Sequence, residues 1–215
     1  MSMEKILIIG ASKGIGLEVV KQALALGYSV RALARSADKI ALSDQKLEKR
    51  NGSALNAKDV SSALEGVDAV VLTLGIPAGP QMVLGPVRLF SEATRIIVPA
   101  MEEAGVRRLI CVTGFGAGDS RASIGCLQGI AFRLFFGYAY NDKDIQESLI
   151  RRSHLDWVIV RPVVLTGGPK SGRYKVLDDP KLWRNGLISR ADVADFLIRQ
   201  ISSDSYLGKT PVLTW

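Results

Sequence analysis

The residues whose types and spacing speak most directly of chemistry are the three glycines of Gly10-Ala-Ser-Lys-Gly14-Ile-Gly16. Gly10 and Gly14 permit backbone angles and a close approach that a Cβ would forbid, and Gly16 lets a following helix pack tightly on a strand. The N–H groups that open such a helix turn the positive end of its dipole toward a phosphate. The spacing is G-x-x-x-G-x-G, distinct from the commoner G-x-G-x-x-G and from the G-x-x-x-x-G-K-[ST] of a P-loop. A second feature lies at the end of the next strand, Ser29-Val-Arg-Ala-Leu-Ala-Arg35-Ser36, which meets no acid until Asp38. A carboxylate there would bind the adenosine ribose hydroxyls of a dinucleotide and repel a 2′-phosphate. Arg35 instead offers a bidentate, charge-assisted phosphate contact, with Ser36 a further donor and Lys13 a second cation. The expected ligand is a dinucleotide, NADP(H) in preference to NAD(H), held by Gly10, Ser12, Lys13, Gly14, Ile15, Gly16, Arg35 and Ser36.

Those residues need strands and helices in alternation to position them. Glu4–Ile9 is a short apolar run that fits a buried parallel strand. Ile15 to Leu26 has helical spacing and ends at Gly27. Tyr28–Ala34 is the second strand, and 46–51 a weak third after a polar, weakly helical stretch. Asp59–Leu64 suits a short helix. Asp68–Leu74 is a fourth strand stopping at Gly75, and Ile76–Pro86 a loop over the strand ends. Val87–Ala104 is a long helix despite Pro99, Arg107–Thr113 a fifth strand, and Gly114–Gly118 a flexible loop. Asn141–Arg152 is expected to be helical and Leu155–Arg161 to be a sixth strand broken by Pro162. Arg190–Ile201 forms a last helix with Ser189 as N-cap, and Thr210–Thr214 a closing edge strand. Parallel strands need crossover helices, so the expected fold class is α/β: one doubly wound Rossmann-type domain over 1–215, its mainly parallel sheet flanked by helices.

The bulk properties agree with that reading and exclude others. The chain has 215 residues, 47% hydrophobic and 23% charged, enough for a real core. No apolar run approaches the roughly 18 residues of a membrane span, and the N-terminus lacks a secretory apolar region. Cys111 falls in an apolar run and reads as a core residue; with Cys126 it forms no metal or redox spacing. The expected setting is cytoplasmic. The net charge of +7 is spread over dispersed Lys and Arg without interleaved aromatics, which argues against a nucleic-acid partner. His154, the lone histidine, sits in a helix-to-strand turn with no acidic or cysteine cluster, so no metal site is expected.

Four segments in order resemble the atypical, NAD(P)H-binding branch of the short-chain dehydrogenase/reductase superfamily, which includes NmrA-like and biliverdin reductase B-like proteins. They are the Gly10–Gly16 turn, Leu64-Glu-Gly-Val-Asp-Ala-Val-Val-Leu-Thr-Leu-Gly75, Asp156-Trp-Val-Ile-Val-Arg-Pro162 and Ser189-Arg-Ala-Asp-Val-Ala194. The resemblance implies an adenine site at Ser53, Ala54 and Leu55, where family members often carry an acid in place of Ser53. It implies that Leu74 and Gly75 lie along the adenosine ribose, Thr113 near the nicotinamide, Lys143 on its ribose, and Pro162 and Val163 beside its ring. Segments 114–140 and 163–188 would cover the substrate.

The superfamily's catalytic-tyrosine branch uses Y-x-x-x-K, but the position four before Lys143 is Ala139. Tyr140, at i−3, shares the lysine's helix face, whereas Tyr138 should point elsewhere. The catalytic candidates are therefore Thr113, Tyr140 and Lys143, with the proton coming from Thr113, Tyr140 or water. Reduction of a flavin, quinone or other conjugated acceptor fits, since hydride transfer with a solvent proton does not require that tyrosine. Phe115, Phe132, Phe135, Phe136, Tyr138 and Tyr140 either line a flat apolar pocket for a small-molecule substrate or form a helix packing face. Two alternatives stand beside the oxidoreductase: a non-catalytic, redox-sensing NADP(H) binder acting through a protein partner, and, with less support, a nucleotide-sugar enzyme. Asp192 reads as helix-start chemistry.

Overall fold

The computed structural model describes residues 5–76, 85–123 and 126–215, with side chains described outside 123–135. Among the described residues ten strands and five α-helices follow in order: β1 (Lys5–Ile9), α1 (Gly14–Ala25), β2 (Ser29–Ala34), β3 (Leu47–Asn51), α2 (Ala57–Leu64), β4 (Ala69–Leu72), α3 (Leu89–Glu103), β5 (Arg108–Val112), α4 (Cys126–Arg151), β6 (Asp156–Pro162), β7 (Val164–Thr166), β8 (Lys175–Leu177), β9 (Leu187–Ser189), α5 (Arg190–Arg199) and β10 (Val212–Thr214). The main sheet runs β3-β2-β1-β4-β5-β6-β10-β8, and β7 pairs with β9 apart from it. Strands β1 to β6 are all parallel. The order reverses direction between β1 and β4, so the crevice outside their carboxyl ends is where such sheets bind ligands.

Alternation along the strands sorts the core into two layers. Ile6, Ile8, Val30, Ala32, Val71 and Ile110 face Val19, Val20 and Ala23 of α1 and Val193, Ala194 and Leu197 of α5. Leu7, Ile9, Leu33, Val70 and Leu72 face Val60, Ala63 and Leu64 of α2 and Ala93, Ile97 and Met101 of α3. Cys111 belongs to the second layer and is fully buried, where burial pushes its thiol pKa upward.

Several expected boundaries move. Strand β4 ends at Leu72, and the Thr73 N–H (2.9 Å) and hydroxyl (3.0 Å) beyond it both donate to the Ile9 carbonyl of β1. Strand β6 ends at Pro162, one residue beyond the expected Arg161; Pro162 pairs with Leu213, and its carbonyl accepts from Phe115. The last strand is not an edge, since antiparallel β8 covers it. The helix expected from Asn141 starts at Cys126; Gly137 and the aromatics lower its local propensity, which tertiary contacts override. The Gly114–Gly118 segment is tied down: Gly116 donates to Ser120 Oγ (2.9 Å) and Gly118 to Asp144 (2.7 Å). Strands β7, β8 and β9, three residues each, carry too little periodicity to be read in advance. The start of the first strand at Glu4, most of the Ile76–Pro86 loop, and the side chains of Cys126, Phe132 and Phe135 lie outside the described residues. No described helix is long and apolar enough to cross a membrane.

Candidate functional site

A cavity of about 1170 Å³ opens along the carboxyl ends of β1 to β6. Its floor is the turn from β1 into α1. Gly10 takes φ +88, and a Cβ on it would lie 2.8 Å from the Thr73 carbonyl oxygen. A Cβ on Gly16 would collide with the Gly10 carbonyl and the Thr73 hydroxyl, so Gly16 closes the helix onto the strand and does not itself line the cavity. Helix α1 starts without a side-chain cap and without an acid in its first turn. Three of the other helices are served: Asn56 caps α2, Ser189 caps α5, and the Asp142 carboxylate accepts from Phe90 (2.7 Å) and Ser91 (3.3 Å) at the head of α3. Four N–H groups at a helix start need acceptors. At α1 they face an open cavity, which fits a phosphate-bearing ligand.

At the β2 and β3 end, Arg35 is exposed, Ser36 half-buried, and both line the cavity with Ser53, Ala54 and Leu55. Among the described residues neither the Arg35 nor the Lys13 side chain makes a hydrogen bond or ion pair, so both cations are available to a ligand. The Ser53 N–H donates to Asp59 Oδ2 (2.8 Å), an acid from the first turn of α2 that fixes the loop where the family often has an acid in the loop itself. A Cβ on Gly52 would come within 2.8 Å of Leu33. Leu74 and Gly75 line the middle of the cavity.

At the β5 and β6 end, Thr113, Pro162 and Val163 meet one face of α4, which contributes Phe136, Ala139, Tyr140 and Lys143. The Lys143 ammonium donates to the Thr113 carbonyl and lies 5.0 Å from the ring centre of Phe90 and 5.1 Å from that of Tyr140. Burial lowers its pKa to about 8, against the opposing field of the nearby Glu147. Burial also pushes the Tyr140 phenol up to about 12, so it stays protonated at physiological pH and can act as an acid. A Cβ on Gly114 would sit 2.7 Å from the phenolic oxygen and 3.5 Å from the Lys143 nitrogen. The missing side chain at Gly114 is thus what lets a tyrosine at i−3 stand beside the lysine. Tyr138, half exposed, points away from the cavity as its spacing implies.

Thr113 departs from its expected role as a proton donor. Its hydroxyl donates to Glu147 Oε1 (2.8 Å), so its single proton is committed inside the protein. Glu147 in turn accepts from Arg161 Nε (3.0 Å) and Nη2 (2.6 Å), and Arg161 Nη1 lies 2.6 Å from Asp119. Neither Glu147 nor Arg161 was singled out in the sequence, beyond the arginine's place in the sixth-strand pattern. His154 is a surface residue whose ring stands 3.6 Å from Glu102. Among the described residues no group of His, Cys, Asp and Glu could hold a metal. Asp192 carries more than the helix start: it accepts from Ser171 (2.8 Å) and Gly172 (2.8 Å) and from the Trp215 indole (2.8 Å). Burial opposes its charge, but these donors outweigh burial and hold its pKa down.

A family model described as NAD(P)H-binding matches residues 10–204. The chain belongs to that NAD(P)H-binding family. Among solved structures, ChuY from Escherichia coli O157:H7, described as an anaerobillin reductase, is 28% identical with a TM-score of 0.78, over 98% of this chain and 96% of that one. A short-chain dehydrogenase/reductase from Veillonella parvula, solved in complex with NADP, shares the fold at 16% identity and a TM-score of 0.82, over 99% of this chain and 95% of that one. The photosystem II assembly factor Ycf39 of Synechocystis is 24% identical over 96% of this chain, which spans 61% of that relative's length. The atypical short-chain dehydrogenase/reductase resemblance and the Rossmann-type α/β fold therefore both stand.

Burial of the Lys143 ammonium is expected to cost the fold stability. The ammonium is most costly below pH 8, where the folded chain must keep the buried charge. The unfolded chain binds more protons between about pH 8 and the ordinary 10.5, so the penalty fades as pH rises through that window. Lys143→Met is expected to stabilise the ligand-free protein by roughly 1–3 kcal/mol at pH 7 and to lose that gain by pH 10. Denaturant unfolding at the two pH values checks this, and an equal effect at both would refute it.

Proposed function

We propose that this protein is an NADPH-dependent reductase of a flat, conjugated small molecule. One observation carries the reading: a single cavity joins an arginine at the end of β2 with no partner among the described residues, an uncapped helix start and the Tyr140–Lys143 pair. Gly10, Ser12, Lys13, Gly14 and Ile15 are assigned to the pyrophosphate, with Gly16 as packing support. Arg35, Ser36 and Lys13 are assigned to the 2′-phosphate, Ser53, Ala54 and Leu55 to the adenine, and Leu74 and Gly75 to its ribose. Lys143 is assigned to the nicotinamide ribose, with Thr113, Pro162 and Val163 around the ring.

Bound NADPH would supply a hydride. The protein's own contribution is to orient the acceptor and manage the proton. Tyr140 holds that proton on its phenolic oxygen beside Lys143, and hydrogen-bond reach from there to the acceptor is the geometric requirement for general acid catalysis. The described residues of segments 114–140 and 163–188, chiefly Phe115, Phe136, Val164 and Leu165, give the acceptor apolar walls.

The test is stopped-flow or steady-state NADPH oxidation by purified protein against a panel of flavins, quinones and conjugated acids, beside a binding titration with NADPH and NADH. The reading expects turnover with at least one acceptor and at least tenfold tighter NADPH binding. Silence across the panel with intact NADPH binding would favour the second reading, a redox sensor acting through a protein partner. Ala139 at the place of the superfamily's tyrosine is the observation that supports that second reading.

A further inference from the structure

The cavity holds four cationic side chains, Lys13, Arg35, Lys143 and Arg190, and among its described lining residues no carboxylate. Three of them have a task in the cofactor assignment. Arg190 has none. Strands β2 and β6 stand four positions apart in the sheet, which is roughly 19 Å across. Arg35 ends one of these strands. Arg190 lies beyond the other, at the junction of β9 and α5, where one guanidinium nitrogen donates to the Thr166 carbonyl at the end of β7 (3.0 Å). That bond fixes the side chain, and no carboxylate among the described residues pairs with it. A half-buried arginine held by a carbonyl and left without a counter-ion is arranged to receive an anion. Asn185 lines the same wall; its amide oxygen accepts from the Gly186 N–H (2.9 Å), which leaves the amide NH₂ to donate. Val164 and Leu165 line the same cavity with apolar side chains.

We propose that Arg190, assisted by Asn185, is a specificity-determining anchor for a carboxylate on the acceptor, so that the substrate class is a conjugated, apolar body carrying an acid group. This rests on the reductase reading above and names its substrate more narrowly. The arginine's planar fork matches a carboxylate in two parallel bonds.

The experiment uses the full chain saturated with NADP⁺ and two matched probes, anthraquinone-2-carboxylate and the neutral anthraquinone-2-carboxamide, titrated by calorimetry. The acid should bind about 10- to 100-fold more tightly than the amide, the range expected for a charge-assisted pair. Arg190→Gln should remove that difference and leave NADPH affinity unchanged, with Arg190→Lys retaining part of it and thermal unfolding reporting that each variant folds. No binding of the acid, or equal affinity for acid and amide in protein that binds NADPH, overturns the anchor alone. Arg190→Gln that weakens NADPH instead overturns it too, by returning the arginine to the cofactor. Failure of wild-type protein to bind NADPH at all would remove the reductase reading and this inference with it.

Discussion

Arg35→Glu is expected to raise the Kd for NADPH about 100-fold or more, while the Kd for NADH stays within a few-fold. Arg35 is exposed at the end of β2 and lines the cavity without a protein partner among the described residues. Loss of a charge-assisted bond to phosphate removes roughly 1.5–3 kcal/mol, and a glutamate in its place adds repulsion of the same phosphate. The sum is about two orders of magnitude in affinity. Asp38, the next acid in the chain, is exposed and does not line the cavity, so it cannot already play the discriminating part. Nicotinamide fluorescence titrations of the two cofactors against wild type and variant decide the matter. Equal weakening of both cofactors would show that Arg35 serves general charge attraction and does not read the 2′-phosphate.

Glu147→Leu is expected to destabilise the fold by about 3–5 kcal/mol, the range for leaving one member of a buried ion pair alone. The side chains of Glu147 and Arg161 are 3% and 0% exposed. Without the carboxylate, the guanidinium keeps only Asp119, itself 58% exposed, and the stacking of its carbon over Trp183 at 5.2 Å. The Thr113 hydroxyl loses its acceptor as well. For a chain of this size such a loss corresponds to a fall in Tm of roughly 10 °C. The double variant Glu147→Leu/Arg161→Met should recover most of the loss, since well-packed apolar pairs commonly match buried ion pairs. Calorimetric unfolding of the three variants measures this; a single-variant loss below about 1 kcal/mol would mean that Asp119 alone neutralises the arginine, although exposed partners ordinarily contribute little.

Much of the architecture was legible in the residues because it rests on local signals. Buried parallel strands are continuous apolar runs, so β1, β2, β4 and β5 announce themselves, and Gly27 and Gly66 mark the ends of their helices with positive φ. The charged strand β3, Leu47-Glu-Lys-Arg-Asn51, reads poorly since its stability comes from pairing with β2 and from Arg31, which reaches across to Glu48 (2.8 Å). Burial opposes the Glu48 charge, yet Arg50, Arg31 and Lys5 together hold its pKa down at about 2. Part of the excess positive charge is thus spent inside the sheet edge and not on a surface patch.

The sequence by itself determined the glycine turn and its place at the head of the first helix, because only glycine tolerates the Gly10 and Gly16 contacts and their spacing is local. It also determined that no acid ends β2. The tertiary structure alone decided which polar groups stand together. Thr113 and Glu147 are 34 residues apart and Glu147 and Arg161 14 apart, and no periodicity links a strand end to the buried face of a distant helix. The same holds for Arg190, a helix-start residue in the sequence, which reaches the cavity only because β7 and β9 pair and present it there. Long-range packing, and not local propensity, committed the Thr113 proton to Glu147 and left Tyr140 beside Lys143 in the cavity.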